Sequence, residues 1–216
     1  MVVPEFLQHI AEIRLGMFES RGAFKALQLD PTRMAFGYAK VAGLMLAMLA
    51  TARFWWVHER GAGRWWDLRR LAWGRFVAGF LIFFGIGSLP ELAKPYVAQG
   101  AHQIAGIVWS ILLLPFLFLM LAGLFGDRST RLAEMAKRSW PWLILTALLL
   151  VFGFAPVAWL HQMNHSWAMG AAPAVVWALM IFDSLLVGLL AGVTGTAFYL
   201  GYAAFAERAG NHTASR

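Results

Sequence analysis

The sequence contains no cysteine in its 216 residues. That removes disulfides, thiolate metal sites and thiol nucleophiles from consideration. Charge is scarce as well: 13% of residues are Asp, Glu, Lys or Arg, against 60% hydrophobic. A water-soluble domain of this length needs a larger polar fraction to cover its surface, so the composition excludes one. Acidic residues are the scarcer sign, 11 against 18 Lys and Arg, for a formal charge of +7. The excess is not spread along a groove or recognition helix. It falls in short connections between apolar runs, which is how bilayers sort chain segments and not how nucleic acid is held. Dinucleotide fingerprints, a P-loop, a nucleophile elbow, HExxH and paired catalytic carboxylates are also missing. Gly85-Ile86-Gly87 lies inside an apolar run and reads as close packing. No cofactor is implied, no catalytic residue stands out, and the reading leans away from an enzyme.

What the chain does have is long apolar segments, at residues 35–57, 76–93, 104–125, 140–160 and 173–206. A bilayer core of about 30 Å needs roughly 20 apolar residues at 1.5 Å each. The third and fourth segments meet this without any charge. The second spans with Arg75 and Glu91 at its two ends. The first is interrupted by Lys40 and Arg53, both of which must then reach back to the interfaces. The fifth is too short to return as a hairpin and reads as one long helix. The fold class expected is therefore all-α, a polytopic transmembrane helical bundle of about five spans at 35–206. A 1–34 amphipathic segment precedes it and a flexible tail, 207–216, follows.

Residues 1–18 do not read as a secretory signal, because Glu5 and Glu12 interrupt them and no basic stretch precedes an apolar run. Phe6, Ile10, Ile13 and Met17 recur at three- and four-residue spacing, with Glu5, Gln8, His9 and Glu12 mostly elsewhere. That pattern predicts an amphipathic helix lying at the membrane surface on its apolar stripe.

Connection charges set the orientation. Arg60, Arg64, Arg69, Arg70 and Arg75 follow the first segment, and Arg128, Arg131, Lys137 and Arg138 follow the third. The alternate connections hold only Lys94 and no Lys or Arg respectively. The rich connections and the C-terminus are thus expected in the cytoplasm. Five spans then put the N-terminus outside, although it carries Arg14, Arg21, Lys25 and Arg33. Trp55, Trp56, Trp65, Trp66, Trp73, Trp140 and Trp142 flank segment ends and read as an interfacial aromatic belt. Heavy use of Ala, Gly, Arg and Trp points to a bacterial cytoplasmic (inner) membrane.

Four groups of residues are candidates for a site. Asp183 sits ten residues into the last segment, about 15 Å along a helix, where an ionised carboxylate costs at least ~2.5–3.5 kcal/mol. It reads as a proton or cation site, or as a hydrogen-bonded Asp joining helices through Ser110, Thr146, Lys40 or Arg53. Ser184, Gly188, Gly192 and Thr196 recur every four residues and form a small-residue packing face. Arg60, Arg64, Arg69, Arg70 and Arg75, among tryptophans, suit anionic lipid headgroups. His102, His161 and His165 lie in connections expected outside. His161 and His165 are one helical turn apart, as metal ligands often are, with the soft thioethers of Met163 and Met169 nearby. Three functions follow in order of preference. The first is a non-enzymatic scaffold or accessory subunit that partners the bilayer and other membrane subunits, or itself, through the small-residue face. The second is a small transporter or channel component using Asp183. The third is a metal- or haem-binding membrane redox protein using the three histidines.

Overall fold

A computed structural model describes residues 1–61, 63–93 and 96–214, the side chains of residue 93 and of 209–214 excepted. Lys94 and the last two residues of the expected tail lie outside the described residues. The described chain is helical, with no strand. The helices are α1 (Val2–Arg14), α2 (Arg21–Leu27), α3 (Pro31–Arg60), α4 (Trp73–Phe80), α5 (Leu89–Ala93), α6 (Gln99–Phe125), α7 (Leu132–Arg138), α8 (Trp140–Ala168) and α9 (Pro173–Ala214). Between α4 and α5 a π-type turn, Leu81–Gly85, and a tight turn, Ile86–Ser88, keep the backbone helical. Five runs are long and apolar enough to cross a membrane: Pro31–Arg60, Trp73–Leu92, Gln99–Phe125, Trp140–Ala168 and Pro173–Arg208. The expected fifth helix extends into the segment read as a tail, because α9 continues to Ala214.

The chain forms two compact units, Met1–Ala52 with Leu149–Ala197, and Arg53–Leu148 with Phe198–Arg216. In the first, local chemistry fixes each helix start. Ser20 caps α2 by accepting from the Ala23 amide at 3.1 Å. Asp30 caps α3 by accepting from the amides of Thr32 and Arg33, with Pro31 at the first helical position, where no amide is needed. Gly170, at φ +74°, ends α8 and turns the chain into α9, and its amide donates to Phe18 O at 2.8 Å. Phe18 packs there with Ala168, Val176 and Met180.

α1 lies antiparallel along the start of α3. A Cβ on Gly43 would meet Pro4, one on Gly37 would touch Gln8, and Lys40 and Arg33 pair with Glu5 and Glu12 in the same order. The helix is inverted relative to the sequence expectation. Its polar stripe, Glu5, Gln8, His9 and Glu12, is buried, while Val3 (67%) and Leu7 (44%) are exposed. Of the apolar stripe at three- and four-residue spacing, Phe6, Ile10 and Ile13 are half-buried and Met17 is fully buried, while the polar stripe has its partners inside.

The second unit is built on close backbone approach. α4 packs on α6 where Gly79 faces Met120 and Gly123 faces Arg75 and Phe76, with no room for a Cβ at either glycine. Tyr202 is fully buried among Trp56, Phe118, Phe125 and Phe205, and its hydroxyl donates to Asp127 at 2.6 Å. Burial alone would raise the Asp127 carboxyl, but hydrogen bonds from Tyr202, Ser129 and Thr130 pull it down to about 2. Arg53 does not reach back to an interface. It is buried and donates to the carbonyls of Trp65, Asp67 and Leu124, so it satisfies a carbonyl in the last turn of α6.

The interior combines apolar packing with a buried polar set, and the open surface is rich in aliphatic side chains. Fully buried side chains include Glu5, His9, Glu12, Asn164 and Asp183, while Ile107, Leu112, Leu148, Phe152, Leu185 and Leu189 lie open on α6, α8 and α9.

Candidate metal centre

Asp183 is fully buried and accepts from three side chains on two other helices. His161 Nδ1 on α8 lies 2.7 Å from Oδ2, His9 Nε2 on α1 3.0 Å from the same oxygen, and Asn164 Nδ2 donates to Oδ1 at 2.9 Å. His165 Nε2 follows at 3.7 Å, and Glu5 Oε1 lies 3.3 Å from His9 Nε2. Two triads of ligating atoms thus share one carboxylate: His9, His165 and Asp183, and Glu5, His161 and Asp183. Four-coordinate sites with bonds of about 2.0–2.1 Å place ligating atoms about 3.3–3.4 Å apart. In the first triad the Asp183 separations from His9 and His165, 3.0 and 3.7 Å, bracket that value, whereas His161 in the second sits at 2.7 Å, a hydrogen-bond distance that an ion would have to open.

Helical spacing delivers the donors. Glu5, His9 and Glu12 stand four and three residues apart on one face of α1, and on α8 Asn164 and His165 follow His161 by three and four residues. α8 runs on to Ala168, eight residues past its expected end, so His161 and His165 are helical side chains facing Asp183, not members of an exposed connection.

A surrounding layer holds these groups in place. His9 Nδ1 donates to Glu12 at 3.0 Å, Glu12 accepts from Gln8 at 2.7 Å and from Arg33 Nε at 3.0 Å, and Lys40 donates to Glu5 at 2.7 Å. A metal-bound imidazole ordinarily donates its other N–H to a carboxylate, which fixes its orientation. The His9–Glu12 pair has that form. Burial alone would lower the His9 imidazolium, but its hydrogen bonds to Asp183, Glu12 and Glu5 raise it to about 10. Burial would raise Glu12, but hydrogen bonds from His9 and Gln8 hold it at about 2. Glu5 is likewise held below its usual range, since His9 and Lys40 outweigh its burial. Glu5 Oε2, Asn164 Oδ1 and His165 Nδ1 remain buried without a hydrogen-bond partner. Imidazole and carboxylate donors without sulfur suit borderline divalent ions such as zinc, iron or manganese more than the copper that the methionines suggested.

The other sequence candidates are dispersed. His102 lies in the second unit, 3.5 Å from Glu91, beside a cavity of about 610 Å³. Ser184 and Thr196 donate back to their own helix, to Met180 O and Gly192 O. A Cβ on Gly188 would meet Val2, and one on Gly192 would meet nothing within 4 Å. The tight approach on α9 is at Gly195, against Met48 and Thr51. Arg75 donates to the carbonyls of Asp127, Arg128 and Thr130, Arg60 lies over Trp56 and near Glu207, Arg64 lies over Trp66, and Arg70 pairs with Asp67. Arg69 is exposed. Ser110 lines the cavity near His102, and Thr146 donates to Trp142 O, so neither partners Asp183.

Sequence reasoning missed Glu5, His9, Glu12, Asn164 and Arg33 as members of one centre, and it offered Lys40 as a partner of Asp183 where the structure pairs it with Glu5. The signal was present in the spacing of the polar stripe on α1, which reads equally as a solvated face until α8 and α9 are placed against it. Comparison of the chain with protein-family models, with curated proteins and with solved structures finds no match.

Proposed function

We propose that the protein is a polytopic membrane protein that holds a resident divalent transition-metal ion in the outer half of the bilayer. The observation that carries the proposal is the convergence of three imidazoles and the Glu5 carboxylate on Asp183, with His9 oriented by a further carboxylate. Buried ionisable groups inside apolar helices are expensive and mark functional sites. Here the expense is offset by pairing within the site.

Membrane residence is supported by the five long apolar helices and by the many exposed aliphatic side chains they carry. Soluble proteins do not carry such large open apolar surfaces. The exposed Val2, Val3 and Leu7 of α1 fit the same medium, although at about 20 Å the helix is too short to cross it. Five crossings place the termini on opposite sides. The arginine-rich connections then put the C-terminus in the cytoplasm, of a bacterium if composition is the guide, and the α8–α9 turn outside. The basic residues near the N-terminus become less of an obstacle, since Arg33 and Lys40 are neutralised by Glu12 and Glu5.

Of the three sequence-level readings, the metal-binding one gains most from this geometry, with His9, Glu5 and Asp183 in place of His102. The scaffold reading gains least, because Gly188 of the small-residue face is met by Val2 of the same chain.

The absence of cysteine provides a direct test. A single cysteine at Ser166 should react with a membrane-impermeant maleimide from outside, and one at Ser129 only after permeabilisation. Protein purified in a mild detergent, stripped by chelator and dialysed against zinc should retain about one ion per chain. Reaction of both cysteines from the same side, or zinc retention at background level, would defeat the proposal.

A further inference from the structure

Beside the centre lies a cavity of about 360 Å³, whose wall comes from α1, α2, α3 and α8. Its polar lining is Arg33, Lys40, His161, His165 and the neutral side chains of Gln8, Gln162 and Ser166. No carboxylate lines it. Glu5, Glu12 and Asp183 are fully buried behind the wall, each already engaged by Lys40, Arg33 or histidine. The acids are therefore turned into the centre, and the donors that balance them form the side that meets the cavity.

Donor capacity remains on that side. Lys40 has three N–H donors and gives one to Glu5. Arg33 uses Nε on Glu12 and Nη1 on the Gln28 carbonyl, which leaves Nη2 without a described acceptor. His165 Nδ1 is buried with no hydrogen-bond partner, while its other nitrogen points toward Asp183. Two cations, an unpartnered imidazole nitrogen and two neutral donors around a space with no acid form a site for negative charge. The volume is near the lower end of small-ligand pockets, which suits a small molecule or one headgroup.

We infer that this cavity binds an oxyanion group, next to the metal and within reach of the two histidines that both sites share. The inference rests on the proposed metal centre for that adjacency, but the donor wall stands without the ion. The oxyanion is supplied either by a free anion such as phosphate or by a lipid headgroup phosphate. A ligand in the cavity would meet the centre through His161 and His165, the two triad members that line it.

The test uses the full chain in a nonionic detergent, once chelator-treated and once zinc-loaded, titrated calorimetrically with inorganic phosphate and with short-chain phosphatidic acid. Saturable binding of either probe is expected, and preference for one identifies the source. Gln162→Glu places a carboxylate on the exposed rim without touching an ion pair. It should weaken binding at least tenfold while zinc content stays at the wild-type level. Arg33→Gln should weaken it further, and Arg138→Gln, at an exposed position in the other unit, should leave it unchanged. Failure of both probes to bind in either form overturns this inference even if zinc is retained. So does undiminished binding by Gln162→Glu protein whose melting temperature is unchanged. Phosphate binding with no zinc retention would instead overturn the metal centre and leave the oxyanion site standing.

Discussion

Asp183→Asn tests the centre through its shared member. The substitution preserves shape but leaves one acceptor where the carboxylate supplied two, and it removes the charge facing His9. Asp183 takes hydrogen bonds from His161, His9 and Asn164 at 2.7–3.0 Å. Hydrogen bonds to a charged group are each worth about 1.5–3 kcal/mol. His9 keeps Glu12 and Glu5 as partners, and one amide oxygen still accepts, so the metal-free protein should lose about 2–4 kcal/mol, not the full sum. The effect on metal is larger in proportion. Removing a residue that merely orients a ligand costs 10- to 100-fold in affinity, and Asp183 belongs to both triads. A loss of at least about 100-fold is expected, roughly 2.7 kcal/mol. With free zinc buffered at 100 times the wild-type dissociation constant, the ion stabilises wild type by about 2.7 kcal/mol and the variant by about 0.4. Thermal unfolding in detergent, with zinc and with chelator, reads this difference, and His102→Ala serves as the control that keeps the full shift. A zinc-induced shift in Asp183→Asn equal to that of wild type would refute the reasoning.

Glu12→Gln leaves every proposed ligand in place but removes the acceptor that orients His9; zinc affinity should fall 10- to 100-fold while stoichiometry holds, and unchanged affinity would show that Glu12 does not support the ion. In the metal-free protein the pH dependence has two limbs. His9 is raised from 6.5 to about 10, so its contribution is complete below 6.5 and is lost as pH rises through about 10; Glu12 is lowered from 4.5 to about 2, so its contribution is complete above 4.5 and is lost as pH falls toward about 2. Amide hydrogen exchange of α1 should therefore be slowest, after correction for intrinsic rates, between pH 4.5 and 6.5, and an optimum above pH 8 would contradict the pairing. In the second unit, Gly123→Ala would drive a methyl group into the backbone of Arg75 and Phe76, whereas Gly74 has nothing within 4 Å. Gly123→Ala should destabilise by about 1–3 kcal/mol and Gly74→Ala should not, as thermal unfolding of the two proteins will show.

The helices were legible because length and apolarity report them directly. Residues 104–125 and 140–160 contain no charge, and both lie inside observed helices. Helix ends were less so. Asp30-Pro31 is a start signal that moves α3 four residues ahead of its apolar stretch, and α8 continues through polar His161 and Asn164 because those side chains are used inside. The centre was half legible. Asp183 stands out as the only charge in its segment, and His161 with His165 shows the right spacing, but the sequence does not say that α1 turns its charged face inward. An amphipathic pattern fixes which residues share a face and not which medium that face meets. Lys40 and Arg53 show the same ambiguity, since each reads as a cation reaching for an interface and each instead satisfies a buried partner.

X-ray absorption at the zinc edge, on protein loaded in detergent, reads the donor set itself. The account predicts a first shell of nitrogen and oxygen only, at about 2.0–2.1 Å, with outer-shell scattering from two or three imidazoles that diminishes in His9→Ala protein. A first shell containing sulfur from Met163 or Met169, or one with no imidazole signature, would contradict it.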